Sequence, residues 1–234
     1  MNVVDNFDNP TALVKMFPKT YNRLASAHLG FGYRIISRST PGGYISINCD
    51  FLYKKDSLVG YRLRPELPDK PKLRNKYLNW YAGKFEISEN HKVKPYYHNR
   101  KSFEAPLDNY SGDKSTKVKV RAYMSPTSGL WYGGRGGWSM SLLPNRKHFL
   151  ALEQSLTREI VMELMYSKNP ATRLTAIEYY YKYPELFEES KEELDEWIEI
   201  IFKQVPRIST LRGCLGGQES ARKLVEEYVK LSVN

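Results

Sequence analysis

Residues 129–140 read GLWYGGRGGWSM, with Arg135 between two glycine pairs, Trp131 and Tyr132 before them and Trp138 after. A guanidinium offers two parallel N–H donors to a phosphate or carboxylate, and glycines let a ligand approach the backbone closely. That reading makes Trp131, Tyr132, Arg135 and Trp138 a ligand loop, an arginine held among aromatic rings. The same stretch also reads as two short strands, LWY and WSMSLL, joined by a glycine turn with Arg135 solvated at its tip. The turn is the first reading and the ligand loop the second. An RGG-type nucleic-acid element fits less well, because such segments repeat and stay disordered, whereas this one is flanked by apolar residues that need packing.

A second set mixes cations with rings: Lys92, Lys94, Tyr96, Tyr97, His98, Arg100 and Lys101, joined by Lys117, Lys119 and Arg121 of STKVKVRAYM. Phosphates need cations and unpaired bases need flat partners, so a sheet face displaying both suits an anionic polymer, single-stranded nucleic acid included. The competing account is the solvated outer face that every one-sided antiparallel sheet presents. No recognised nucleic-acid motif accompanies the set.

Other chemistry is thinly represented. Cys49 and Cys214 are the only cysteines, and His28, His91, His98 and His148 are scattered. No Cys-x-x-Cys or His-Glu-x-x-His spacing occurs, so neither a metal nor another cofactor is expected. Cys49 falls on the apolar side of an alternating run, the place of a packed thiol and not of a nucleophile. RGCLGGQESARKLV (212–225) is a glycine-rich run entering a helix, where free N–H groups can hold an anion, but it lacks the Lys-Ser/Thr of a P-loop. The acids of EESKEELDEWIE read as the solvated face of a helix. No Gly-x-Ser-x-Gly elbow is present, and no catalytic residue is assigned.

The elements that would position these residues follow from period and punctuation. Asn9 before Pro10 marks a helix start, and Pro18 a break. From residue 31 the period is two: FGYRIISRS, YISINCDFLYK and LVGYRLRPE, joined by TPGG and KDS, predict a three-stranded meander with one buried face. Ile45, Ile47, Cys49, Phe51 and Tyr53 share that face, and Ser46, Asn48 and Asp50 the other. LPDKPKLRNKYLNWYAGKF reads as a helix opened by Asp69 and stopped by Gly83. KFEIS and HKVKPYY suggest a hairpin, and STKVKVRAYM a strand, with the long connection SFEAPLDNYSGDKST between them. After Pro144 the pattern is helical: Phe149, Leu152, Leu156, Ile160 and Leu164 in one series, a restart at Asn169 and Pro170, a capping-box spacing at Ser190 and Glu193, a stop at Pro206, and a last helix from Gln218 to Leu231. The fold expected is α+β: an antiparallel strand-rich N-terminal part with an inserted helix, then a small C-terminal helical bundle. The division falls at residues 1–147, strand-rich and basic, and 148–234, helical and mildly acidic.

Charge follows the same division. The chain has 234 residues, 36 Lys/Arg and 26 Asp/Glu, for a net +10. Residues 1–150 hold 25 of those cations and 11 of the acids, against 11 and 15 in the remainder. Either the basic part meets an anionic partner or the two parts dock through opposite charge. No apolar run approaches the ~18 residues of a membrane span. The first residues show no signal-peptide pattern, so the chain is expected to be soluble and cytoplasmic by default, or exported if a leader has been removed. The function expected is non-catalytic binding or assembly, with the basic, aromatic-rich N-terminal part engaging an anionic polymer, nucleic acid possible, or another protein. The alternative is an enzyme, of hydrolase type for example, with its site at the junction of the two parts near glycine loop 133–137.

Overall fold

The computed structural model describes residues 3–17, 26–40, 46–104, 107 and 113–231. The chain is an α+β structure of two compact units, Met1–Ala27 with Tyr33–Ser102, and His28–Gly32 with Phe103–Asn234. The division expected after residue 147, drawn from charge and period, falls inside the second unit.

In the first unit, Asn9 caps α1 (Pro10–Met16), its side chain accepting from the Ala12 N–H at 3.0 Å. The antiparallel sheet runs in the order β1 (Ser26–Gly30), β2 (Tyr33–Ser39), β3 (Ile47–Lys54), β4 (Ser57–Pro65) and β5 (Tyr96–His98). Alternation sets the register, because a slip of one residue would turn the apolar set outward. Ile36, Phe51, Tyr61 and His98 therefore form one row, and Cys49, Leu63 and Tyr96 another. Ile47, Cys49, Phe51, Tyr61 and Leu63 are buried with Leu13, Phe17, Tyr81 and Phe85. Tyr81 comes from α2 (Pro71–Ala82), which opens at Lys70 without a capping side chain, so that Pro71 and not Asp69 fixes its start.

The other side of the sheet departs from the expectation of one buried face: Ile35, Asp50 and Leu52 are buried there too. The expected hairpin of KFEIS and HKVKPYY reduces to an isolated bridge between Ile87 and Val93. Pro18, the turn residues 41–43, Ile45 and most of the connection before residue 113 lie outside the described residues.

The second unit holds the main correction. STKVKVRAYM is a helix, α3 (Lys114–Met124), and not a strand. Its Val–Lys alternation fits period two, but Thr116, Val120, Tyr123 and Met124 also recur at helical steps, and these are the buried residues, while Val118 is 64% exposed. Asp113 decides the local competition by accepting from the Thr116 N–H at 2.9 Å, an N-cap the alternation hides. Four further helices match the expected run: α4 (Pro144–Leu150), α5 (Arg158–Met165), α6 (Pro170–Lys182) and α7 (Lys191–Gln204). The apolar series from Phe149 to Leu164 spans two of them because Thr157 caps α5. The Ser190 hydroxyl accepts from Arg158 at 2.6 Å and makes no cap. Residues 170–178 of α6 are all buried, the mark of a central helix, and α4, α5 and α8 (Ala221–Leu231) pack on it. The glycine-rich run is not a loop. It forms the hairpin of β8 (Arg207–Arg212) and β9 (Leu215–Ser220), and α8 begins at Ala221 and not at Gln218.

Candidate functional site

Residues 129–140 form a brace and a tip inside the second unit. The brace comes first: Tyr132 N–H donates to the Ser209 carbonyl at 2.9 Å, Gly134 N–H to the Tyr228 hydroxyl at 2.9 Å, and Leu143 N–H to the Gly134 carbonyl at 3.0 Å. Between these ties lies a hairpin of two-residue strands, β6 (Arg135–Gly136) and β7 (Ser141–Leu142), in place of LWY and WSMSLL. The glycines have different reasons. Gly133 and Gly137 take φ of 145° and 77°, where side chains are strained, whereas Gly136 needs close approach, since a Cβ there would lie 2.7 Å from Leu211. The four ligand-loop candidates are placed apart. Trp138 is 94% exposed and Trp131 39%; Arg135 is exposed, with Nη1 donating to the Met140 carbonyl at 3.3 Å; Tyr132 is fully buried.

Tyr132 leads to a charged cluster that sequence reading missed. Its hydroxyl donates to Glu178 Oε2 at 2.9 Å, Arg146 donates to both Glu178 oxygens at 3.2 and 2.6 Å, and Lys182 Nζ donates to Oε1 at 2.7 Å. Arg146 Nε is satisfied by the Gly133 carbonyl at 3.2 Å, which ties the cluster to the glycine stretch. Burial by itself would raise the Glu178 pKa, but Arg146 and then Lys182 outweigh it and hold the carboxyl below its ordinary value. Burial, reinforced by Glu178, pushes the Tyr132 hydroxyl well up. The cluster is a buried carboxylate with its lone pairs engaged by two cations and a phenol, chemistry suited to fixing the loop base more than to accepting a substrate proton. The signal for it was the helix without a polar stripe: an acid in TAIEYY on a helix buried all round must find a cation.

The first unit has a parallel arrangement. Asp50 accepts from the Ser37 hydroxyl at 2.6 Å, from Arg62 Nε and Nη2 at 3.0 and 2.7 Å, and from Arg64 Nε at 3.3 Å. Burial pulls its pKa upward, yet Arg62, Ser37 and Arg64 together leave it lowered. Burial also raises the Cys49 thiol, a buried core residue as alternation implied.

The basic-aromatic set does not form one sheet face. Tyr96 packs edge-on to Phe7 at 4.7 Å against the core, whereas Tyr97, opposite Arg62 in the register, lies on the other side with Arg100 5.4 Å over its ring. Lys94 pairs with Glu86, and Lys92 and Lys101 are exposed. Lys117, Lys119 and Arg121 sit on α3, in the second unit. A cationic run that was not singled out lies on α2. Lys70, Lys72, Arg74 and Lys76 crowd its N-terminal half, the helix has no acid, and among the described residues none of the four has a carboxylate within ion-pair distance. Counted by unit, the first has 18 Lys/Arg and 8 Asp/Glu, the second 18 and 18, so the whole net charge of +10 belongs to the first.

Among the described residues, no group of three or more His, Cys, Asp or Glu could hold a metal ion, and no helix is long and apolar enough to cross a membrane. Comparison of the chain with protein-family models, curated proteins and solved structures gives no match.

Proposed function

We propose that this is a non-catalytic binding or assembly protein whose basic first unit engages an anionic polymer. One observation carries the reading: the excess positive charge is confined to the first unit, while the second is balanced. Its most concentrated part, the N-terminal half of α2, places cations where the helix dipole already disfavours them, so an external anion is the natural relief. Trp80 on the same helix is 40% exposed, and Arg100 with Tyr97 offers a second cation with a ring beside it. The hydrolase alternative gains nothing from the groups around glycines 133–137, which are engaged with one another.

Titration of the protein with a single-stranded oligonucleotide and with heparin across a salt series tests this. Binding is expected to weaken steeply with salt, with a log–log slope of about 0.7 per phosphate contact for a single strand. Lys72→Glu with Lys76→Glu, which removes two contacts, is expected to reduce that slope by about 1.4. Absence of binding to either polymer at low salt would overturn the proposal.

A further inference from the structure

In the second unit two hairpin tips are held together, since Gly137 N–H donates to the Gly213 carbonyl at 2.7 Å. From them project Trp138, Met140 and Leu215, which are 94%, 50% and 81% exposed. Their bases are fixed: Gly136 lies under Leu211, and Gly216 lies under Trp131, each so close that a Cβ would come within 2.7 Å. This is apolar surface displayed on a rigid mount, and such surface on a folded chain marks an interaction site. The sequence has no acid from residue 114 to 152 or from 207 to 218; Arg212, at the root of the second tip, is paired with Glu219 and Glu227, while Arg135 is exposed at the root of the first.

The same unit has a surface of the opposite kind. Tyr166, 46% exposed, stacks on Trp197 with centroids 4.9 Å apart. Along α7 the residues one turn from Trp197 on its outward side are Glu193 and Ile200, the latter 41% exposed. Glu193 and Glu163 lie near enough to Tyr166 to add to the upward shift that burial gives its hydroxyl. Residues 185–199 contain eight acids and one lysine; Glu189, Asp195 and Glu199 are paired with Arg158, Lys191 and Arg222, and the other five, Glu193 among them, keep the segment net negative although the unit is neutral overall.

We propose that these two surfaces are the halves of a self-association contact, in which the tips of one copy dock on the Tyr166–Trp197–Ile200 surface of the next. The occupant is a second copy because each molecule carries both halves, apolar at the centre and opposite in charge around it: exposed Arg135 beside the tips, the carboxylates of Glu193 and Glu163 beside Tyr166. The two halves differ, so the contact is head-to-tail and copies add in series unless the rotation closes a ring. The proposal rests on the second unit alone and is independent of polymer binding by the first.

The test is sedimentation velocity of the full chain over a concentration series in ~0.3 M salt, where screening mutes the charge of the first unit. Two variants at exposed positions spare the fold: Trp138→Ser with Leu215→Ser removes the tips, and Glu193→Lys with Ile200→Ser alters the receiving surface. The wild type is expected to grow in mass with concentration, each variant to associate at least ~10-fold more weakly, and an equimolar mixture of the two to form a heterodimer that grows no further. The proposal is overturned by a wild type that stays monomeric to ~100 µM, the weak end for specific interfaces, by either variant associating like the wild type, or by a mixture that does not pair. A monomeric protein whose Trp138 fluorescence shifts on added phospholipid vesicles would instead make the tips a lipid contact.

Discussion

Asp50 in the first unit and Glu178 in the second are buried carboxylates, each engaged by two cations and a hydroxyl, but they differ in how far their partners can reach water. Arg62 and Arg64 are 14% and 40% exposed as side chains, whereas Arg146 and Lys182 are 11% and 22% exposed. Arg146 is also bracketed by the rings of Tyr132, Phe149 and Tyr228. The pair in the second unit is therefore the more committed: loss of its carboxylate strands a guanidinium in the core, while loss of Asp50 leaves at least Arg64 free to turn outward. Arg173 shows what the second unit tolerates without a carboxylate. It is 3% exposed and donates to the carbonyls of Ser167 and Leu29, and burial lowers its pKa. It also lies 4.9 Å from the ring of Phe31, in a left-handed run where Gly30, Phe31 and Gly32 have φ of 78°, 52° and 75°.

The sharpest way to break the comparison is Glu178→Ala, expected to destabilise by about 3–5 kcal/mol in urea unfolding. Adding Arg146→Met should recover much of that loss, because it removes the stranded charge. Asp50→Asn is expected to cost less, about 1–3 kcal/mol, the range for a lost charge-assisted hydrogen bond. Equal costs for the two would mean that the carboxylate in the second unit is no more committed than that in the first.

The pH dependence sharpens it further. Both carboxyls have folded-state pKa values below their unfolded ones, so the stability they confer is present above the ordinary carboxylate range and lost as pH falls through it toward the lowered values. Acid unfolding of the wild type should therefore be steeper than that of Glu178→Gln or Asp50→Asn, as followed by circular dichroism.

Smaller effects test the glycine stretch. Gly136→Ala should destabilise by about 1–3 kcal/mol through overpacking on Leu211, while Gly134→Ala, whose Cβ would meet Tyr228 at an ordinary 3.7 Å, should change thermal stability little. Arg135→Ala is the smallest, within about 0.5 kcal/mol, because the side chain is exposed.

Punctuation and period carried much of the fold. The meander, α2 and the helices after Pro144 were legible because proline, asparagine and glycine signals bracketed apolar series of one clear period. Cys49 was legible as a core residue for the same reason. α3 was not: Val118 and Val120 alternate with lysines as a strand would, and the Asp113 cap together with burial of Tyr123 and Met124 against the rest of the unit separates the two periods. β8 and β9 were hidden because Gly213, Gly216 and Gly217 read as a loop until pairing supplied their hydrogen bonds.

The site divides in the same way. Sequence put Arg135 at the tip of a glycine turn and Trp138 in the strand after it, whereas Arg135 belongs to β6 and Trp138 to the turn; nor could sequence pair Tyr132 with Glu178 across 46 positions, or Gly137 with Gly213. What the sequence determined by itself is local: alternation, caps, breaks, and a charge imbalance that needs no coordinates to count. What only the tertiary structure decided is which charges are consumed internally and which face outward. Those pairings join residues far apart in the chain, where no short-range pattern records them, and a buried charge becomes stable only once its distant partner is in place.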